Sequence, residues 1–483
     1  MVLLFFLICY TILVSASRVS DGLSILQFGA IPVVNTYDAA ARNSEAIMKA
    51  FAAANEADSD RTVVVPKLPN DEVFYIIPVD LENMRDITFK VDGTLRVNDW
   101  IEKWDSENYP SGIVMFTEAN NVRITGGGVI DGQGLKWWQL GMSGKADFRS
   151  DLVHIKQSQN VEVDSITLLN SPKFHLHLND VAHATVHGIT IFADSNVTRK
   201  NGHEGAVYPL NTDGIDLAAF NVTVYGNKIT NYDDAIVAKP CKGSNKYCTC
   251  SGNMLIFDNE INFSVGLTIG SVPPNENVNC VRNVTFRDNT MWRPLKALYL
   301  KSNPGDSGTG IIESIHYENI YIEQTVWWVI WMGPQQQNQP GDSDTPTGCN
   351  FLFPFIPICP TNPLVTFNDI SFVNITAVDT LPLFEGPGVM LCDRENPCTD
   401  VYMEDVKISM FEGDFDDIKD QLPLNVPGRV FPTRYRSDDF DFQYLTDNVY
   451  GLDDVQVDPM PCFNDHNCFW DGNAKHLVDF PTS

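Results

Sequence analysis

Three carboxylates in two short segments are the residues of this chain best placed to do chemistry. One segment is Asn211-Thr212-Asp213-Gly214 and the other is Asp233-Asp234. Breaking an acetal bond needs one carboxyl that stays protonated, to donate to the leaving oxygen. It needs another that stays ionised, to activate water or attack carbon. Crowding like charges raises the proton affinity of one of them, so three clustered aspartates can divide those roles. Taken bare, the same residues also suit an aspartate ladder at turns or a calcium site. Adjacent aspartates in an ideal strand point to opposite faces. Asp233 and Asp234 therefore share a cleft only if they stand at a strand-to-turn bend.

The elements that must position these residues are short strands. One phrase recurs: an apolar-x-apolar pair, often with an Asn, then another apolar residue. It reads NVRITGG from Asn121, NVEVDSITLLN from Asn160, NVTVYGNKIT from Asn221 and MLIFDNEI from Met254. It returns as NVTFRDNTM from Asn283, SIHYENIYI from Ser314, LVTFNDISFVNIT from Leu364 and VYMEDVKISMF from Val401. The copies start one or two units of roughly 20–40 residues apart, the range of a solenoid repeat. A β-sandwich would instead show close hairpin turns of the Asn-Gly kind; that dipeptide occurs at Asn201-Gly202, outside the repeats. The expected fold class is all-β, a right-handed parallel β-helix. A helix from about Ala39 to Glu56 would cap one open end. Stacked coils lie about 4.8 Å apart, so segments one coil apart bring their carboxyls to about 5–9 Å, the range that flanks a glycosidic bond.

The flanking residues carry a resemblance. GGGVIDGQGLKWW (Gly126 to Trp138), NSPKFHLHL (Asn170 to Leu178), NTDGIDL (Asn211 to Leu217), DDAIVAK (Asp233 to Lys239), VGLTIGSV (Val265 to Val272) and LYLKS (Leu298 to Ser302) follow in order. Together, over roughly Val91 to Phe411, they resemble glycoside hydrolase family 28, the polygalacturonase family. The resemblance implies inverting hydrolysis of a pectin-type polysaccharide, without cofactor or metal. It would make Asp233 the general acid, with Asp213 and Asp234 positioning and activating water. Lys301 and Lys239 would contact a sugar carboxylate, and Asn211, Tyr299 and Trp327 would join them in binding substrate.

Two positions depart from the family pattern. Val265 stands where the family has His, and Tyr299 where it has Arg. A bidentate guanidinium has no substitute in Tyr. Both changes, and the AKPCKGSN and LKSN segments, turn the expectation toward rhamnogalacturonan or xylogalacturonan as alternative substrates. A carbohydrate-binding β-helix without turnover is the alternative from another class. His175 and His177 read as scaffold, and Trp137 and Trp138 as packing. Among Trp327, Trp328 and Trp331, one is expected to reach a sugar.

Residues Val2 to Val14 form an apolar run followed by Ser15, Ala16 and Ser17, which reads as a signal peptide over 1–17 and a secreted protein. Ten cysteines remain after it, an even number that suits disulfides in an oxidising compartment. Cys349/Cys359, Cys392/Cys398 and Cys462/Cys468 read as local pairs. Cys241, Cys248, Cys250 and Cys280 could pair in three ways, and the first three could instead hold zinc. Asn-x-Ser/Thr acceptors at Asn196, Asn221, Asn262, Asn283 and Asn374 suggest surface glycans. The net charge of −29 argues against nucleic acid or an anionic membrane as partner. It also opposes a polyanionic substrate unless cations gather at the site. The expected organisation is a catalytic β-helix over 18–411, then an acidic irregular extension over 412–483, in a monomer.

Overall fold

The computed structural model describes residues 22–464 except 104–109, 143–148, 195–207, 243, 276–277, 338–347, 351–352, 355, 381–385, 412–443, 454–455 and 462. The signal segment, Asn196 and the Cys462/Cys468 pair lie outside the described residues.

The chain winds as a parallel β-helix whose strands pair with the coils before and after. Three stacks of strands run its length. One stack contains Asp151–Asp164, Leu176–His187, Ile215–Tyr225, Ile236–Ala238, Leu267–Val272, Lys296–Ser302, Trp328–Gln335 and Gly388–Leu391. Its alternation of apolar and other residues sorts side chains by the period of two. Ile155, Leu178, Leu217, Ala238, Ile269, Leu300 and Met332 are in register and buried in the core. One position earlier, His154, His177, Asp216, Val237, Thr268, Tyr299 and Trp331 form the opposite, outward column. A register slip of one residue would exchange the two columns, so core burial also fixes what the outer face presents.

The recurring Asn of the repeat phrase has a backbone reason. Asn121, Asn160, Asn221 and Asn283 all adopt φ between 53° and 60°, the left-handed region that Asn tolerates better than other side chains. They mark one corner of the stacked coils, with His183 and Asn253 at positive φ in the coils between them. Within the coils Asn227, Asn259 and Asn289 stack as a buried ladder, each amide donating to the next side-chain oxygen at 2.9 Å.

The capping helix spans Tyr37–Glu56, two residues longer at its start than the sequence suggests, with Thr36 Oγ1 accepting from the Ala39 N–H at 3.2 Å. Its buried face plugs the open coil: Phe51 meets Phe89 and Phe116 edge-on at 5.1 and 5.6 Å. Within the stretch read as an irregular extension, Leu445–Asp447 and Val449–Asp453 add strands to two of the stacks. Among the described residues the disulfides are Cys241–Cys248, Cys250–Cys280, Cys349–Cys359 and Cys392–Cys398. The zinc alternative falls, because all three of its cysteines are bonded. No helix of the described residues is long and apolar enough to cross a membrane.

Candidate active site

The two acidic segments are the turns that lead into consecutive strands of the first stack. Asp213-Gly214 precedes Ile215, and Asp233-Asp234 precedes Ile236. The turns are stacked directly: Gly214 N–H donates to the Asp234 carbonyl at 2.8 Å, and Ile215 N–H to that of Ala235 at 3.0 Å. Position 214 must be glycine, because a Cβ there would run into the Ala235 carbonyl oxygen. Asn231 pins both turns at once, its buried amide pointing at the carbonyls of Thr212, Asp233 and Asp234 at 2.8–3.0 Å. The strand-to-turn bend thus lets adjacent Asp233 and Asp234 face one cluster. Asp213, Asp233 and Asp234 each place a carboxylate oxygen within 4.8 Å of the others. That is tighter than the spacing expected from coil geometry alone, because both segments are turns rather than extended strand.

The three carboxyls have different environments. Asp234 is buried; Lys301 donates to its Oδ2 at 2.9 Å and the Thr268 hydroxyl to its Oδ1 at 2.9 Å. Burial works to raise its proton affinity, but Lys301 and Lys239 outweigh burial and hold Asp234 below the ordinary value. Asp233 is partly exposed. Its surroundings and the adjacent Asp234 charge push its pKa up to about 6, against the pull of Lys301 and Lys239. Burial, then the charges of Asp233 and Asp216, raise Asp213 well above the usual carboxylate range.

Lys239 lies among the acids. Its Nζ is 3.5 Å from Asp213 Oδ2, 3.5 Å from Asp216 Oδ2 and 3.6 Å from Asp234 Oδ2. Despite its burial, those carboxylates raise its pKa above that of a free lysine. Asn211, with φ 57°, accepts a hydrogen bond from Arg149 Nη2 at its side-chain oxygen, at 2.7 Å. Tyr299 and Trp327 are only 3% and 9% exposed, so they stand in the wall rather than on an open surface. The Tyr299 ring lies between Lys296 Nζ at 4.0 Å and Lys301 Nζ at 4.6 Å, with Trp331 edge-on. Val265 packs against this aromatic cluster. His175 is scaffold: burial lowers its pKa to about 4, its Nδ1 is 3.0 Å from the Asp213 carbonyl, and its Nε2 accepts from the Ser171 N–H.

Sequence reasoning missed Arg149, Asn231, Thr268, Asp216 and Lys296. Asp216 was visible inside NTDGIDL, two residues before Ala218 on an alternating strand. Nothing in the local sequence marks Lys296 as buried. A second group, Asp151, His154 and His177, also brings ligand-type atoms within 4.8 Å; there Asp151 Oδ2 already faces both Nδ1 atoms, at 3.2 and 2.9 Å.

Fold and site together define a parallel β-helix with a carboxylate–lysine cluster set into one of its strand faces. Within that class, the chain belongs to glycosyl hydrolases family 28, whose model matches residues 59–348. It is 26% identical over 274 residues to a probable endo-xylogalacturonan hydrolase A of Aspergillus flavus, covering 54% of this chain and 61% of that one. It is 24% identical to an exopolygalacturonase of Zea mays, covering 76% of this chain and 79% of that one. The chain thus spans about three fifths of the length of the Aspergillus relative. Among solved structures, the endo-xylogalacturonan hydrolase of Aspergillus tubingensis shares the fold with a TM-score of 0.61 at 18% identity, covering 76% of this chain and 89% of that one. A polygalacturonase of Erwinia carotovora does so with a TM-score of 0.56 at 22% identity and the same coverage.

Proposed function

We propose that this chain is a secreted enzyme that hydrolyses glycosidic bonds of a pectic polysaccharide. One observation carries the reading: a partly exposed carboxyl with a pKa near 6, Asp233, stands beside one held ionised, Asp234. Asp233 is the general acid. It keeps its proton at mildly acidic pH and is the member of the trio that a leaving oxygen can reach. Asp213 and Asp234 hold the nucleophilic water. The carboxylate oxygens of the trio lie within 4.8 Å of one another, close enough for one water to touch both acids. Inversion then follows from water attack opposite the leaving group. Lys301 and Lys239 keep Asp234 ionised as the base, while Asp213, whose proton affinity burial raises, helps to hold the water. The disulfides suit an exported protein, and the names of the relatives support a pectic substrate.

Polygalacturonan is the default substrate by family. Tyr299 favours a changed specificity: the family's Arg position is filled by a buried ring, so rhamnogalacturonan or xylogalacturonan hydrolysis is the second reading. Chromatography of products from polygalacturonic acid and, separately, rhamnogalacturonan and xylogalacturonan tests both. Saturated oligogalacturonides support the first reading and products from rhamnogalacturonan or xylogalacturonan alone the second; no products from any of the three polymers would refute hydrolysis. Proton NMR of the first-formed anomer tests inversion. Asp233→Asn should lower kcat by about 10²–10⁴ with folding intact; an unchanged rate would overturn the acid's assignment.

A further inference from the structure

Among the described residues, the strand face that carries the acids is walled on three sides. On the side of later coils the wall is the segment closed by Cys349–Cys359. Cys349 and Phe353 pack with Tyr299, Trp327, Trp328 and Trp331, and Phe353 meets the Trp331 ring edge-on at 6.0 Å. Trp331 follows Tyr299 in the outward column, and both rings are buried. The strands that begin after Asp234, Val265 and Lys296 are stacked in register. Tyr299 therefore stands two coils beyond Asp234, about 10 Å along the axis.

The second wall stands over the turns that lead into the strands. Tyr208 meets Tyr232 edge-on at 5.7 Å and donates a hydrogen bond to its carbonyl, and Phe263 packs on Tyr232 at 4.8 Å. Tyr232 directly precedes Asp233. The third wall is the loop closed by Cys241–Cys248. It packs on Ala218, two residues beyond Asp216 on the same outward side. Buried Asp180 holds that loop down, accepting from the N–H groups of Lys246, Tyr247 and Cys248 at 2.7–2.9 Å.

The fourth side, toward earlier coils, is open. His177, the register neighbour of Asp216, is partly exposed, as is Asn179 two residues on. Lys156, the register neighbour of Asn179 one coil earlier, is exposed. A groove open at both ends lets a polymer lie across the acids with sugars on either side. A recess with one open side takes a chain by its end.

We propose that this protein shortens its polymer from a chain end: the terminal sugars enter past His177, reach the acids and stop against the Tyr299 wall. Each turnover adds the elements of one water across one glycosidic bond and releases one short saturated sugar. The proposal rests on reading the acids as a hydrolytic centre and adds which bonds of the polymer that centre reaches.

The test takes the pectic polymer that the protein hydrolyses in three forms. One is unmodified, one has its reducing ends converted to alditols, and one carries at its nonreducing ends the 4,5-unsaturated residue that a lyase leaves. Viscosity and newly formed reducing ends are followed together, and early products are sized by chromatography. One product size is expected from the first time point, with viscosity falling only in step with the bonds cut. One of the two end modifications should nearly abolish the rate and the other should leave it unchanged. A ladder of intermediate sizes with early collapse of viscosity, or equal rates on all three forms, would overturn the proposal. Combining Cys349→Ser, Phe353→Ala and Cys359→Ser, in a protein shown by its melt to be folded, should add internal cuts; an unchanged product pattern would overturn the wall as the stop. Turnover of no pectic polymer would overturn the hydrolytic reading, whereas internal cutting by the unsubstituted protein would overturn entry by the chain end alone.

Discussion

Asp233 ties the chemistry to the stability of the fold. A general acid must be protonated, so kcat should hold between pH 4 and 5. It should fall about tenfold per unit once pH exceeds the value near 6 at which Asp233 ionises. A flat profile from pH 5 to 8 would remove Asp233 from that role. The same shift has a cost. A carboxyl raised from 3.8 to about 6 binds its proton more tightly in the folded than in the unfolded chain. Its contribution to stability is therefore lost as pH rises through that window. Asp233→Asn should stabilise the protein by about 2–3 kcal/mol at pH 7 and by little at pH 3; thermal melts at the two values check it. The acids were legible in the sequence because type and spacing together defined them. Asn231 and Arg149 were not, since what they do depends on which backbone carbonyl or side chain a later coil brings near.

At the scale of elements, the repeat phrase carried the fold. Alternation set which residues face inward, and the recurring Asn marked the corners at which the backbone takes positive φ. The short strands before and after the acids were harder to bound, because they end in turns whose geometry is set by neighbouring coils. The interior asparagine ladder was invisible for a related reason: a polar residue predicts exposure, and only stacking makes it satisfied inside. Asn259 joins both neighbours, its oxygen accepting from Asn227 and its amide donating to Asn289. Its Oδ1 also accepts the Asn227 backbone N–H at 3.1 Å. Asn259→Leu should therefore cost about 2–4 kcal/mol, since two buried Asn227 donors and the Asn289 side-chain acceptor lose a partner. Urea denaturation measures it, and a loss below about 0.5 kcal/mol would show the ladder to be dispensable.

For the whole molecule the dominant quantity is charge. A net −29 repels a polyanion at long range, whatever cations line the site. Raising ionic strength from about 0.01 to 0.15 M shortens the screening length from about 30 to 8 Å. The second-order rate on polygalacturonate should then rise, and that on a fully methyl-esterified polymer should stay level. A fall with salt on the acidic polymer would mean that local cations govern the encounter. Such field effects were readable from composition, whereas the placement of the lysines was not.

In a stack of coils each turn of chain leans only on its two neighbours, so opening begins at the ends and travels inward. The helix plug at Phe51 guards one end, and the acids lie many coils from it. Fraying at either terminus would therefore leave the central coils paired. Nicking by protease should shorten this protein from its extremities before it silences it.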